Sequence, residues 1–271
     1  MPTVYVDGEK LHFFESGNGT PVIFVHGSCG GGGQWGGLSR ELSDNFRCIS
    51  LDLFGSGKSE TWPLEREWTN RDDERAINAV LDHLGVPAHL VAHSGGGHFS
   101  YPSIKNRRDQ ILSLTLFEPA YFHILRQESN PLFAEPTAMA NDYRAAIDDK
   151  NLDQAMASFV DVWAKKKGVW ASLPDTVKDM MKLGSNRLYH EWVSPWFEEP
   201  TRHDLAALNL PVLLFKGTET LPSMHRVCEI MQDSLPNCRY IEIDGAGHMS
   251  PFTHAKVALP EMIEFLSAIK K

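Results

Sequence analysis

The chain has 271 residues, of which 42% are hydrophobic and 23% charged, so it suits one α/β domain with an inserted segment. Its formal net charge of −9 comes without a basic stripe, which disfavours a nucleic-acid partner. No apolar run is long enough to cross a bilayer, and we expect no membrane partner.

Strands and helices alternate through the first part of the sequence. Continuous apolar runs, such as 21–25 (PVIFV), are typical of strands buried on both faces. The strand-like runs lie at 3–6, 11–15, 21–25, 47–53, 88–92 and 111–117, and the helical patterns at 34–45, 71–84 and from about 96 onward. This alternation predicts parallel βαβ units with right-handed crossovers.

The alternation stops after Pro119 and resumes near Ala207. The intervening stretch is helical and rich in aromatic residues, and apolar residues at 152, 155, 156, 159, 160 and 163 follow helical spacing. Beyond it we predict strands at 211–215 and 239–243, with helices near 223–235 and 255–269. The sequence therefore predicts a core of residues 1–120 and 208–271 and a helical cap of residues 121–207 over the carboxyl ends of the strands.

Residues 89–97 (HLVAHSGGG) are the most informative segment, because a strand runs there through a turn into a helix. The middle residue, Ser94, must take a strained backbone conformation that exposes its hydroxyl. The small residues Ala92 and Gly96, two positions before and after it, let neighbouring chains pass closely. This turn resembles the nucleophile turn of the α/β-hydrolase superfamily, with alanine where glycine is usual.

Three further segments resemble that superfamily in order and spacing. His26-Gly27-Ser28 stands where these enzymes place the oxyanion loop, and residues 52–59 (DLFGSGKS) resemble the family's DxxGxGxS turn. Residues 244–249 (DGAGHM) resemble the loop that presents the catalytic histidine. The resemblance implies a mostly parallel eight-stranded sheet flanked by helices, with an inserted helical cap. It also implies Ser94 as nucleophile and His248 as its general base, with the N–H groups of Ser28 and Gly95 as the oxyanion hole.

The acid of the triad is not where the family usually places it. The usual aspartate lies three residues after the glycine that ends the seventh strand, which is Gly217 here, and that position is Thr220. Glu118, at the end of the strand after the nucleophile helix, is our preferred replacement, and Glu219 is the alternative. A third possibility is that no acid is used.

An apolar chamber is predicted from the aromatic residues of the insert. They are Tyr121, Phe122, Phe133, Tyr143, Phe159, Trp163, Trp170, Tyr189, Trp192, Trp196 and Phe197. The residues predicted to bind substrate are His26, Gly27, Cys29, His93, Tyr121, Phe122, Trp163, Trp192 and Met249. The predicted substrate is a small, uncharged, hydrophobic acyl compound, most simply a carboxylic ester.

Several other activities share this scaffold. Haloalkane dehalogenases and epoxide hydrolases of the superfamily use an aspartate nucleophile, and Ser94 argues against both. Hydrolysis of a carbon–carbon bond and perhydrolysis use the same serine machinery and remain alternatives. A non-catalytic ligand-binding protein and a cofactor-free oxygenase are two further hypotheses, since fold does not fix function.

The four cysteines have no CxxC spacing, and we expect reduced thiols in a reducing compartment, the cytoplasm. The first residues have neither the basic nor the apolar region of a signal peptide. The histidines show no metal-ligand spacing, so we expect no metal and no cofactor. A homodimer stays open.

Overall fold

A sheet of eight strands runs through the computed structural model, which describes residues 2–193 and 199–269. The strands are β1 (Thr3–Val6), β2 (Glu9–Ser16), β3 (Thr20–Val25), β4 (Phe46–Asp52), β5 (Ala88–His93), β6 (Ile111–Phe117), β7 (Val212–Gly217) and β8 (Cys238–Ile243). Their order across the sheet is β1-β2-β4-β3-β5-β6-β7-β8. The predicted eight-stranded sheet is confirmed.

Most of the sheet is parallel. Only the hairpin of β1 with β2 and the pairing of β2 with β4 are antiparallel among the described strands. Strand β3 pairs in parallel with both β4 and β5, so the chain winds outward in both directions from β3. Open parallel sheets bind ligands outside the carboxyl ends of the strands at such a point. His26 follows β3 there and Ser94 follows β5.

Thirteen α-helices occur in the described part of the chain. They are α1 (Gly36–Leu42), α2 (Asn70–Leu84), α3 (Gly95–Asn106), α4 (His123–Gln127), α5 (Ala134–Asp148), α6 (Leu152–Trp163), α7 (Val169–Ser172), α8 (Asp175–Leu183), α9 (Ser185–Val193), α10 (Arg202–Ala207), α11 (Pro222–Ser234), α12 (Ser250–Thr253) and α13 (Ala255–Ala268). None of them is long and apolar enough to span a membrane.

The sheet separates two apolar clusters. Alternate residues of β3 serve both: Ile23 and Val25 pack with α2, α3 and α11, while Val22 and Phe24 pack with α1 and α13. A strand with apolar residues on both faces is thus buried between helices, as the run at 21–25 predicted. The helix predicted over 34–45 is shorter, because a 3₁₀ turn at Gly32–Trp35 precedes α1 and the chain enters β4 at Phe46.

Helix α2 shows how local sequence defines an element. Thr69 and Asp72 form a reciprocal capping box at its start, and Gly85 ends it with a left-handed φ of 64°. The buried face carries Ile77, Val80, Leu81 and Leu84, which recur at helical spacing, but it also buries Asp73. That charged residue becomes important at the site.

Seven of the described helices, α4 to α10, lie between β6 and β7. Helices α5, α6 and α9 meet through Tyr143, Phe159 and Trp192, and the centroid of the Trp192 ring lies 6.0 Å from that of Tyr143 and 5.8 Å from that of Phe159. Residues of this insert join the same apolar cluster as α2 and α3. The insert therefore packs onto the core sheet, whereas its treatment as a separate cap of residues 121–207 stays a prediction.

Candidate active site

Ser94 stands between β5 and α3 in a strained turn. Its φ of 55° and ψ of −126° lie outside the helical and strand regions, and its N–H donates to the carbonyl of Phe117 at 3.0 Å. Its own carbonyl accepts from the N–H of Ala120 at 3.0 Å. A Cβ on Gly96 would lie 2.5 Å from the carbonyl oxygen of Val25, so this turn requires glycine there. These contacts hold the hydroxyl clear of the sheet.

His248 follows β8 and lies within hydrogen-bond reach of Ser94. Its Nε2 is 2.8 Å from Ser94 Oγ, and its Nδ1 is 2.7 Å from Glu118 Oε2. An ionised carboxylate only accepts hydrogen bonds, so Glu118 selects the tautomer protonated at Nδ1. Nε2 is then left to accept from the hydroxyl of Ser94, as a general base requires.

Glu118 is fully buried and held by three groups. Besides the imidazole, Oε1 accepts from the N–H of Gly217 at 2.7 Å and Oε2 accepts from the hydroxyl of Thr220 at 2.7 Å. Thr220, which occupies the usual acid position, thus donates to the carboxylate that lies beside the imidazole. Glu219 is exposed. The geometry favours Glu118 over Glu219 for the acid, while its catalytic role stays a prediction.

Two aromatic rings enclose the imidazole of His248. Trp163 from α6 stacks on it with 3.8 Å between ring centroids and 19° between planes, and His93 packs at 4.7 Å. His93 Nε2 donates to the carbonyl of His248 at 2.9 Å. Burial, followed by the nearby His248, lowers the pKa of His93 well below its usual range, so His93 stays neutral. The face of Trp163 favours a positive charge on His248.

The predicted oxyanion loop follows β3. Ser28 lies against Gly95, because a Cβ on Gly95 would be 2.8 Å from Ser28 Oγ. The N–H of Gly95 belongs to the first turn of α3, where amides have no intrahelical acceptor. His26 fixes the loop from behind: its Nδ1–H donates to the carbonyl of Gly27 at 2.8 Å, and its Nε2 accepts from the N–H of Leu53 at 3.1 Å. Burial lowers the pKa of His26 to about 4.

A buried charged network, missed by the sequence analysis, reaches the oxyanion loop. Ser28 Oγ donates to Glu191 at 2.5 Å, and Glu191 accepts from Arg187 Nε at 2.7 Å. Arg187 then pairs with both oxygens of Asp73, each at 2.8 Å. Burial raises the pKa of Asp73 to about 7, opposed by the charge of Arg187. The one feature of the sequence that could have indicated this network is Asp73, a charged residue on the apolar face of α2.

A cavity of about 480 Å³ opens above Ser94. Ser28, Ser94 and Gly95 line one part of it. Three of the predicted substrate-binding residues, Phe122, Trp163 and Trp192, also line it, as do two other insert aromatics, Phe133 and Phe159. Trp196 and Phe197 lie outside the described residues. The cavity is therefore bounded by both the core and the insert.

The other six predicted substrate-binding residues lie outside the wall of this cavity. They are His26, Gly27, Cys29, His93, Tyr121 and Met249. The first five are buried and serve local contacts; the hydroxyl of Tyr121, for example, donates to the carbonyl of Gly97 at 3.0 Å. Met249 is 45% exposed. Because none of the six lines the cavity, their role in substrate binding stays a prediction that the cavity does not support.

A second polar cluster in the wall was also missed. Glu199 accepts from His98 Nδ1 at 2.7 Å, and its other oxygen is 2.8 Å from His123 Nδ1 and 2.9 Å from the N–H of His123. Although burial opposes it, hydrogen bonding with the two histidines lowers the pKa of Glu199 to about 2. These residues are 25 or more positions apart in the sequence, and no local pattern connects them.

Many curated proteins resemble part of this chain. A haloalkane dehalogenase of Agrobacterium fabrum is 28% identical over 127 residues, which make up 46% of this chain and 41% of that protein. A cis-3-alkyl-4-alkyloxetan-2-one decarboxylase of Shewanella oneidensis is 30% identical over 131 residues, or 46% of this chain and 41% of that protein. The alignments thus span less than half the length of these relatives.

Solved structures match nearly the whole chain. An esterase from Rhodococcus sp. superposes with a TM-score of 0.75 at 19% identity, covering 99% of this chain and 98% of that one. An enol-lactonase from Burkholderia xenovorans has a TM-score of 0.73 at 18% identity, covering 98% and 100%. At such identities the likeness concerns the fold. A family model described as alpha/beta hydrolase fold matches residues 20–255, and the chain therefore belongs to that family.

Proposed function

We propose that this chain is a serine hydrolase that cleaves a small, hydrophobic acyl compound, a carboxylic ester, through an acyl-enzyme at Ser94. The observation that carries the proposal is the continuous hydrogen-bonded series from Ser94 Oγ through His248 to Glu118. Each member is buried, so the series works in an environment of low polarity where its electrostatic interactions are strong. The cavity gives a substrate access to Ser94.

The first half-reaction forms the acyl-enzyme. Ser94 Oγ attacks the acyl carbon while its proton moves to His248 Nε2, and the carbonyl oxygen becomes an oxyanion. The N–H groups of Ser28 and Gly95 donate to that oxyanion. When the tetrahedral intermediate collapses, the bond to the leaving alcohol breaks and the alcohol takes the proton from His248.

The second half-reaction restores the enzyme. Water attacks the acyl carbon, its proton moves to His248 Nε2, and the bond to Ser94 Oγ breaks as the proton returns to the serine. In both halves the imidazolium is stabilised by the Glu118 carboxylate on one edge and by the face of Trp163. The products are a carboxylic acid and an alcohol.

The two curated relatives are named for other reactions, dehalogenation and decarboxylation. Those reactions are stated of those proteins only. Dehalogenases of the superfamily use an aspartate nucleophile, whereas a serine occupies the turn here, and this favours acyl transfer. Carbon–carbon hydrolysis and perhydrolysis on the same serine are distinguished from ester hydrolysis by testing a diketone and added hydrogen peroxide.

The cytoplasmic location and the possible homodimer stay predictions; the four cysteines are free thiols, which suits a reducing compartment.

The test measures hydrolysis of p-nitrophenyl acetate and butyrate, together with labelling by a fluorophosphonate, which requires an activated serine. We expect turnover and labelling in the wild type and loss of both in Ser94→Ala. The matched control is Ser172→Ala, at an exposed serine that ends α7. Labelling that survives in Ser94→Ala contradicts the proposal. A wild type that is not labelled by the fluorophosphonate and does not hydrolyse these esters also contradicts it and favours a ligand-binding protein.

A further inference from the structure

The cavity above Ser94 has a wall that the proposed mechanism does not use. Helices α4 and α5 form part of it, and their residues Arg126 and Arg144 are among those that line it. Both belong to the same continuous cavity as Ser94. A predicted chamber for an uncharged substrate does not account for two cationic groups in its wall.

Among the described residues, the carboxylates that line the cavity have partners other than these two arginines. Glu191 pairs with Arg187 at 2.7 Å and accepts from Ser28. Glu199 is held by the imidazoles of His98 and His123, and hydrogen bonding with them lowers its pKa to about 2. Each acid thus has its own polar partners, and neither pairs with Arg126 or Arg144.

Neither Arg126 nor Arg144 forms an ion pair within residues 2–193 and 199–269. Arg144 is half-buried, and its Nε is buried with no hydrogen-bond acceptor among those residues. Buried polar groups are nearly always hydrogen-bonded, and a group bound in the cavity is one way to supply the acceptor that this nitrogen lacks. Arg126 is exposed and lines the same cavity.

We propose that Arg144 and Arg126 form a subsite for the carboxylate of a small ester whose acyl carbon reaches Ser94. A guanidinium donates two parallel hydrogen bonds to a carboxylate, which gives orientation as well as affinity. A dianion such as a phosphate monoester is disfavoured, because Glu191 and Glu199 line the same cavity. This proposal rests on the proposed function and replaces the uncharged substrate with a monoanionic one.

The rest of the lining defines the middle of the substrate. Phe122, Phe133, Phe159 and Trp163 present apolar rings to the cavity, so an apolar segment suits the space between the ester and the carboxylate. Half-esters of linear dicarboxylic acids combine these three features. Monoethyl succinate, adipate and suberate therefore form a series in which the distance from ester to carboxylate is varied.

The experiment compares kcat/KM for each half-ester with that for the same ester ending in a primary amide, which has a similar shape but no charge. We expect the wild type to prefer at least one half-ester. Arg144→Gln lowers the ratio of the two kcat/KM values about 10-fold to 100-fold, the loss of one charge-assisted hydrogen-bonding interaction. Arg126→Gln lowers it less, because water screens an exposed charge. The control Arg40→Gln, at an exposed residue of α1, leaves the ratio unchanged.

Two results overturn the subsite. One is a wild type that hydrolyses both kinds of ester with no preference for the half-ester. The other is a preference that Arg144→Gln leaves intact. In either case ester hydrolysis itself remains, so the proposed function survives.

Calorimetry separates failure of the proposed function from failure of the subsite. If no ester is turned over and Ser94 is not labelled, the half-esters are titrated into Ser94→Ala. Binding that weakens about 10-fold or more on adding Arg144→Gln supports the subsite on a protein that is not an esterase. Absence of binding by every half-ester overturns it.

Discussion

Thr220 and Glu118 together replace a single acidic residue at the usual position. Thr220 carries no carboxylate and cannot serve as the acid. Its hydroxyl instead donates to the carboxylate of Glu118. Glu118 enters from the neighbouring strand and reaches the same edge of the imidazole. Because the N–H of Gly217 also donates to it, the carboxylate keeps its orientation without the help of solvent.

At this scale we predict opposite outcomes for two Glu→Gln substitutions. Glu118→Gln removes the charge that stabilises the imidazolium, and an amide no longer selects the tautomer, so kcat falls by about 10³-fold to 10⁴-fold. Glu219→Gln, at the exposed neighbour, is the matched control and leaves kcat within about 2-fold. Steady-state hydrolysis of p-nitrophenyl butyrate measures both. A larger loss in Glu219→Gln would reverse the assignment of the acid.

Helix α9 joins the insert to the core through a buried ion pair. Arg187 pairs with Asp73 of α2 on one side and with Glu191 of its own helix on the other. Its guanidinium also donates to the carbonyl of Phe54 and lies 4.5 Å from the centroid of the Phe99 ring. Such a pair gives little net stability compared with apolar residues, but removing one partner leaves buried charges uncompensated.

We therefore expect Arg187→Met to lower the free energy of unfolding by about 3–5 kcal/mol. Adding Glu191→Gln to that variant recovers part of the loss, because the carboxylate that has lost its guanidinium partner is then replaced by a neutral amide. The control is Arg202→Met, which removes an ion pair to Glu128 that is 45% exposed at the arginine and is worth about 0–1 kcal/mol. Urea unfolding provides the measurement; equal losses in the two single variants would contradict a structural role for the buried pair.

The whole molecule shows what local sequence can predict. The strands, the turn at Ser94 and the loop at His248 follow from apolar runs and small residues at fixed positions, and the structure has them at nearly the predicted bounds. The wall of the cavity does not follow, because Glu191, Glu199, Arg144 and Arg126 meet only through the packing of the insert. Sequence neighbours of the reactive residues were a poor guide to it, since successive residues of a strand or turn point in opposite directions.

The pH dependence of stability is a property of the whole molecule that Glu199 makes testable. Its pKa is lowered from an ordinary 4.5 to about 2, so the folded state binds fewer protons than the unfolded state between these values. The stability that it contributes, roughly 3 kcal/mol, is complete above pH 4.5 and is lost as the pH falls toward 2.

We expect Glu199→Gln to be less stable than the wild type at pH 6 and the difference to shrink to less than half at pH 3. Urea unfolding at both pH values measures it. Glu229→Gln, at an exposed carboxylate on α11, is the control and changes little with pH. A difference that stays constant between pH 6 and pH 3 would show that Glu199 acts through packing and not through its charge.

The position of Glu118 determines which elements of the sheet supply the proposed reactive residues. The proposed nucleophile and acid both come from one βαβ unit of the sheet, β5, α3 and β6, within 25 consecutive residues. The end of β7 and the loop after it therefore supply no reactive group. They contribute the N–H of Gly217 and the hydroxyl of Thr220 as hydrogen-bond donors to Glu118. The tolerance of that segment to substitution is therefore set by two hydrogen-bond donors and not by a carboxylate.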